Sequence, residues 1–185
     1  MRAALSIVLM VWALGLCAAD DGAWTALREG RAVLLLRHAN APGLGDPPGF
    51  VLDDCATQRN LDSAGRAQAQ RWGALLREKG ISKPRVISSR WCRALETANE
   101  MELGPVEPFA ALDSFFAQPE GNVPKTEALH EFLAGLSAAA PPIVLITHQV
   151  NITALTGVFP RSGEGLILAL PFKDRPQVLA RISPP

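Results

Sequence analysis

Two dipeptides, Arg37-His38 and Thr147-His148, each close a run of aliphatic residues, and a third polar cluster, Ser88 to Arg93, closes another. A neutral imidazole can attack phosphorus and carry a phosphoryl group covalently, while flanking guanidiniums hold the oxygens and disfavour protonation of the ring. His38 beside Arg37 has the residue types for that nucleophile. His148 can donate a hydrogen bond to the same oxygens, and Arg93 can fork onto two of them. Arg93 and Thr97 stand one turn apart on one helix face. Taken singly, each has a plainer reading, since histidines after strands are often only hydrogen-bonded and arginines often lie in solvent. Convergence of two imidazoles and paired guanidiniums at one edge instead makes a site for a multiply charged anion, phosphate above all.

The elements that must bring these residues together follow from the apolar pattern. Ala32-Val-Leu-Leu-Leu36, Arg85-Val-Ile-Ser88 and Ile143-Val-Leu-Ile-Thr147 are too short for buried helices and predict strands, with a short one from Val106 to Phe109. Segments 165–170 and 177–182 predict two terminal strands joined by a turn at Pro171–Pro176. Ala69, Trp72, Leu75 and Leu76 recur at helical spacing, and Gly80 supplies a left-handed stop. Ser89 is a candidate N-cap for a second helix with Ala94, Leu95, Ala98 and Met101 on one face. Pro124 suits the first turn of a third helix carrying the stripe Leu129, Phe132, Leu133 and Leu136, and 150–156 predicts a short fourth. Strands alternating with helices imply a single three-layer α/β/α domain around a mostly parallel central sheet. Ligands of such sheets bind beyond the carboxyl ends of the strands, where the polar clusters fall.

The chain has 185 residues, 48% of them hydrophobic, which suits one globular domain with its own core. Eighteen Lys and Arg balance eighteen Asp and Glu without a basic run, so nucleic acid is excluded as the main partner. Arg2, the apolar stretch Leu5 to Leu16 and the small residues Cys17-Ala-Ala19 predict a signal peptide over 1–19, cleaved after Ala19, with the domain over 20–185. The apolar stretch is too short to favour a permanent membrane anchor, and bulky Leu16 disfavours a lipid-modified Cys17. A periplasmic or secreted location follows. Removal of the leader leaves Cys55 and Cys92, which are either a disulfide, as an even pair in an exported chain suggests, or two separate small buried side chains. Three His and two Cys at no metal spacing predict no metal, and no cofactor is expected.

Leu35-Leu-Arg-His-Ala39, Arg59-Asn-Leu61, the stretch Ser88 to Thr97 and Thr147-His-Gln149 together resemble the histidine phosphatase superfamily, over nearly the whole mature chain. More narrowly, the chain is similar to small exported bacterial members. The resemblance implies a phosphoglycerate mutase-like domain, a metal-independent phosphohistidine intermediate on His38 and a phosphate pocket of Arg37, Arg93 and His148. Many members carry Gly-Glu or Gly-Gln after the Arg-His pair, where this chain has Ala39-Asn40. Asn40 can still donate its amide to a phosphate oxygen. Many also carry a Glu that protonates the leaving oxygen. Here Asp113 is the candidate, as general acid or as a cap for the next turn, with Glu127 a distant second. Lacking an acid, the site would favour good leaving groups, such as phosphohistidine or a pyrophosphate.

His130, beside an apolar stripe, is expected at the surface, and Asn151-Ile-Thr153, though a glycosylation sequon, is read as local capping. The loop Ala39 to Asn60 borders the pocket and should shape access to it. The expected activity is exported phosphatase chemistry on a small phosphomonoester or a phosphorylated envelope glycan such as lipopolysaccharide core. The alternatives are a non-catalytic phosphate-binding or envelope interaction protein and, less favoured for an exported chain, a phosphomutase.

Overall fold

Six strands form one sheet in the order β3-β2-β4-β1-β5-β6 in a computed structural model that describes residues 21–137, 141–173 and 175–185. The leader expected over 1–19 lies outside the described residues. The strands are β1 (Ala32–Arg37), β2 (Arg85–Ser88), β3 (Val106–Pro108), β4 (Ile143–Thr147), β5 (Gly165–Ala169) and β6 (Val178–Ile182). The first four run parallel, β5 is antiparallel to β1, and β6 is antiparallel to β5, which gives the mostly parallel sheet that the alternating pattern predicts.

Residues 21–28 form helix α1, followed by α2 (Ser63–Glu78), α3 (Cys92–Glu100), α4 (Asn122–Ala134) and α5 (Gln149–Thr156). Because side chains alternate across a strand, β1 feeds two cores. Leu34 and Leu36 pack with Trp72 and Leu76 of α2 and Ala94 and Ala98 of α3, while Val33 and Leu35 face Leu129 and Leu133 of α4 and Ile152 of α5. Helices therefore cover both faces, and every aliphatic residue of β1 and β4 is buried.

The local signals explain most helix ends. Asp62 caps α2 by accepting from the Gly65 amide at 2.7 Å, and Gly80, at φ 78°, ends it in the left-handed region where glycine carries no Cβ penalty. Two expectations shift. Helix α4 begins at Asn122, two residues before Pro124, because a single 3-10 turn at Pro119–Gly121 leads directly into it. Trp91, not Ser89, occupies the N-cap position of α3 and makes no side-chain cap bond; the Ser89 hydroxyl oxygen accepts from the Trp91 amide at 3.2 Å, just ahead of the helix.

Candidate active site

The β1–β4 register pairs Arg37 with Thr147, so the next residues, His38 and His148, leave the sheet side by side at its carboxyl edge. The His38 amide donates to the Thr147 carbonyl at 2.9 Å, and the two rings meet edge to face with centroids 5.3 Å apart. The backbone turning out of β1 is gripped from both sides. The Ala39 amide donates to Thr97 Oγ1 at 3.0 Å, and Thr97 donates in turn to the Arg93 carbonyl at 2.7 Å. Gly65 is required on the other side, where a Cβ would come within 2.0 Å of the Asn40 carbonyl oxygen.

His38 is buried, and its Nδ1 lies 2.8 Å from the Ala39 carbonyl. A carbonyl only accepts, so Nδ1 carries the proton and Nε2 keeps a free lone pair. Burial and then the charge of Arg93, with smaller contributions from Arg37 and Arg59, hold the imidazole well below its ordinary pKa. His148 is displaced the same way by burial and by Arg93. Its Nε2 is 2.7 Å from Ser89 Oγ, and its buried Nδ1 has no partner among the described residues. With the Ser89 hydroxyl donating into Nε2, Nδ1–H becomes the donor available to a bound oxyanion.

Three guanidiniums surround this pair. Arg93, in the first turn of α3, is 2% exposed, donates from Nη1 to Asp46 Oδ1 at 2.7 Å and leaves a buried Nε unpartnered. Burial is the main cause that lowers its pKa to about 10, partly offset by Asp46. Arg37 donates to the Pro160 carbonyl at 2.9 Å and likewise keeps an unpartnered Nε. Arg59, which the strand-end pattern does not select, donates from Nε to the Gly45 carbonyl at 2.7 Å and from Nη1 to that of Ala41. These side chains, with both histidines, line a depression of about 380 Å³ rimmed by Leu44, Phe116 and Val150. Asp46 is the unforeseen counter-charge. Burial alone would raise its pKa, but Arg93 and the bonds from the Arg59 amide and from Trp91 Nε1 outweigh that and hold the carboxylate below its usual range.

Two proposed site residues are employed differently. Asp113 is fully buried and outside the residues lining the depression. It accepts from the Arg90 amide at 2.8 Å and from Arg90 Nε at 2.7 Å, with the Ser89 oxygen 3.3 Å away, while its carbonyl accepts from Asn151 Nδ2 at 2.9 Å. Both carboxylate oxygens are thus acceptors in a scaffold beneath His148, and a general-acid role has no line of approach to a departing group. The Asn40 amide turns away from the depression to donate to Asp62 at 3.1 Å, so the N-cap of α2 takes the proton meant for phosphate. Glu127 is exposed on α4. His130 is half-buried against Phe172, ring centroids 5.1 Å apart, and Asn151 is buried, inaccessible to a glycan.

Cys55 and Cys92 are joined, 37 residues apart, which ties the loop carrying Asp46 and Arg59 to the start of α3. Opening a loop of that length removes about 3–4 kcal/mol on the chain-entropy model. Reductant is therefore expected to lower the thermal midpoint by about 10 °C and to raise KM for a phosphorylated substrate. An unchanged midpoint and KM under reductant, with free thiols verified, would show that the bridge does not constrain the site.

The histidine shifts set a pH dependence. A nucleophile must be neutral, and a pKa well below 6.5 keeps it so as pH falls, so kcat is expected to stay level from pH 8 to pH 6 and to lose its acid limb only below that. Both histidines also make stability pH-dependent. The unfolded chain protonates them near 6.5 and the folded chain only at lower pH, so their contribution is present above 6.5 and is lost as pH falls from there toward the folded values. A kcat midpoint at or above 6.5 would contradict this electrostatic picture.

No family model matches the sequence, and no curated protein matches it. Solved structures do. The protein histidine phosphatase SixA complexed with tungstate superposes with a TM-score of 0.57 at 17% identity, covering 83% of this chain and 97% of that one. A phosphoserine phosphatase from Entamoeba histolytica in complex with 3-phosphoglyceric acid gives 0.58 at 13% identity, covering 82% and 96%. A mycobacterial glucosyl-3-phosphoglycerate phosphatase in complex with VO3 gives 0.57 at 19% identity, covering 80% and 96%. Over most of its length, the chain therefore has the phosphoglycerate mutase-like fold of the histidine phosphatases.

Proposed function

We propose that the protein is an exported phosphatase that hydrolyses phosphomonoesters through a phosphohistidine at His38 Nε2. One observation carries the reading: a buried imidazole with its Nδ1 proton fixed on Ala39 turns a free Nε2 into a depression lined by three guanidiniums. In the first step Nε2 attacks phosphorus, a P–N bond forms, the P–O bond to the alcohol breaks, and its electron pair leaves on that oxygen. In the second, water attacks phosphorus and breaks the P–N bond, which releases inorganic phosphate and restores the neutral ring. Arg37, Arg59, Arg93 and His148 Nδ1–H stabilise the equatorial oxygens throughout. Structural neighbours that are phosphatases, two of them complexed with tungstate and VO3, support the phosphatase reading.

Export is inferred from the leader-like segment and agrees with the disulfide, a bond of oxidising compartments. A phosphorylated envelope component such as lipopolysaccharide core is the natural substrate class for an enzyme placed there. A phosphate-binding role without turnover is the second reading, favoured by one observation: among the described residues, no carboxylate lines the depression to protonate a leaving oxygen. Release of phosphate from 4-nitrophenyl phosphate by the purified protein, with chelator present, decides between them. Turnover accompanied by an acid-labile phosphoenzyme supports the first reading, and stoichiometric phosphate binding without turnover supports the second. N-terminal sequencing of the exported protein is expected to begin at Asp20.

A further inference from the structure

A second depression of about 370 Å³ adjoins the first, and Ser114 and Phe116 line both. Its remaining walls are Phe50, Trp91, Asp46 and the stretch Ala117–Gln118. The rings form a continuous ladder leading away from the nucleophile. His38 to His148 is 5.3 Å between centroids, His148 to Trp91 is 5.7 Å, and Trp91 to Phe50 is 5.7 Å. Phe116 stands at the junction with 47% of its surface in water, and Leu44, which lines the first depression, is 86% exposed. Large apolar groups left in water where two depressions meet mark a place where a ligand covers them.

Apart from the Ser114 O–H and the Gln118 side chain, the polar groups lining the second depression are already engaged. The Asp46 carboxylate already accepts from Arg93, Trp91 Nε1 and the Arg59 amide, and the Ser114 hydroxyl accepts from the Phe116 amide at 3.2 Å. No carboxylate among those lining either depression is free to protonate a departing oxygen. An alkoxide leaves poorly without a proton, whereas a phenol-like oxygen leaves as a stabilised anion. Shape and chemistry agree.

On these grounds we propose that the second depression is a leaving-group subsite for a flat aromatic ring, so that the protein acts on aryl phosphomonoesters with the ring stacked between Phe116 and Trp91. The inference rests on the phosphatase reading for its chemistry, but the subsite is tested by binding alone. The probes are 1-naphthylphosphonate and methylphosphonate, neither of which can be hydrolysed, and the readout is the ratio of their dissociation constants by titration calorimetry. The parent is expected to bind the naphthyl compound more tightly by about tenfold or more, as stacking on aromatic faces provides. In Phe116→Ala that ratio should fall toward one. Phe116 is half exposed, so its truncation leaves the core intact, and a matched thermal midpoint verifies this. A ratio near one in the parent, or an unchanged ratio in the variant, overturns the subsite. An intact ratio without turnover of 1-naphthyl phosphate would instead retain the subsite and remove the phosphatase reading.

Discussion

Replacing His38 by Ala is expected to lower kcat toward 4-nitrophenyl phosphate by at least about 10⁴-fold, the scale on which removal of a covalent nucleophile acts. No neighbour can take over. His148 directs Nε2 to Ser89, and its Nδ1 serves as a donor, while the remaining polar side chains around the depression are three arginines, Ser114 and Gln149, none of them a nucleophile with a base beside it. The fold should survive, since the substitution removes one bond to the Ala39 carbonyl and with it a buried group that is held among three cations. The measurement pairs kcat with an acid-quench trap of the phosphoenzyme and a melting curve. Loss of both turnover and trapped phosphate at an unchanged midpoint is the expected result. Turnover within a factor of ten of the parent would assign the chemistry to another group. His148→Ala offers an internal contrast, with a fall of about 10²–10³-fold expected because it removes a donor and leaves the nucleophile in place.

The elements that carry His38 and His148, the proposed nucleophile and donor, are legible because their signal is local. Four or five consecutive aliphatic residues, bounded by arginines in β1 and by Pro142 and Thr147 in β4, can be little else than a buried strand, and a polar dipeptide at the end of each falls at the edge where parallel sheets bind ligands. The even pair of cysteines left outside the expected leader points to the Cys55–Cys92 bond in the same way. What the sequence hides is the partnering of isolated charges. Asp113 reaches Arg90 across 23 positions and Asp46 reaches Arg93 across 47, out of loops with no periodicity to say which way a side chain turns. Asn40 has the residue type for a phosphate donor, yet Asp62 is equally good as an acceptor and is already fixed at the end of α2. Arg59 carries a motif signal but ends no strand, so its place in the site follows only from the path of the 39–60 loop over the sheet edge.

These hidden partners share one purpose, the placement of the donors. The Arg90–Asp113 pair and Asn151 fix the segment under Ser89, and Ser89 fixes the His148 ring. Asp46 does the same for Arg93 by taking Nη1, which leaves Nε of the guanidinium for the ligand. On the proposed reading, the donors are set by side chains that would not touch the phosphoryl group, a common way to keep donors preorganised.

Arg93→Gln is accordingly expected to lower kcat/KM by about 10³-fold, through loss of a buried fork onto the equatorial oxygens. Taken alone, that variant has a second consequence. Asp46, its side chain only 8% exposed, would keep its charge with the Trp91 and Arg59 donors but lose its counter-ion, a change that costs about 3–5 kcal/mol in buried pairs. Part of any loss of activity would then reflect a loosened loop. The double variant Arg93→Gln/Asp46→Asn separates the two effects, because an amide in place of the carboxylate removes the stranded charge while preserving shape. It should recover most of the lost stability in a denaturant titration and none of the lost kcat/KM. Asp46→Asn by itself frees Arg93 from a competing anion, so inorganic phosphate is expected to inhibit that variant more tightly by about tenfold, the size of a single charge contact in a partly desolvated site. Recovery of activity in the double variant would show that Arg93 acts through the loop, and weaker phosphate inhibition in Asp46→Asn would show that the carboxylate orients the guanidinium more than it competes for it.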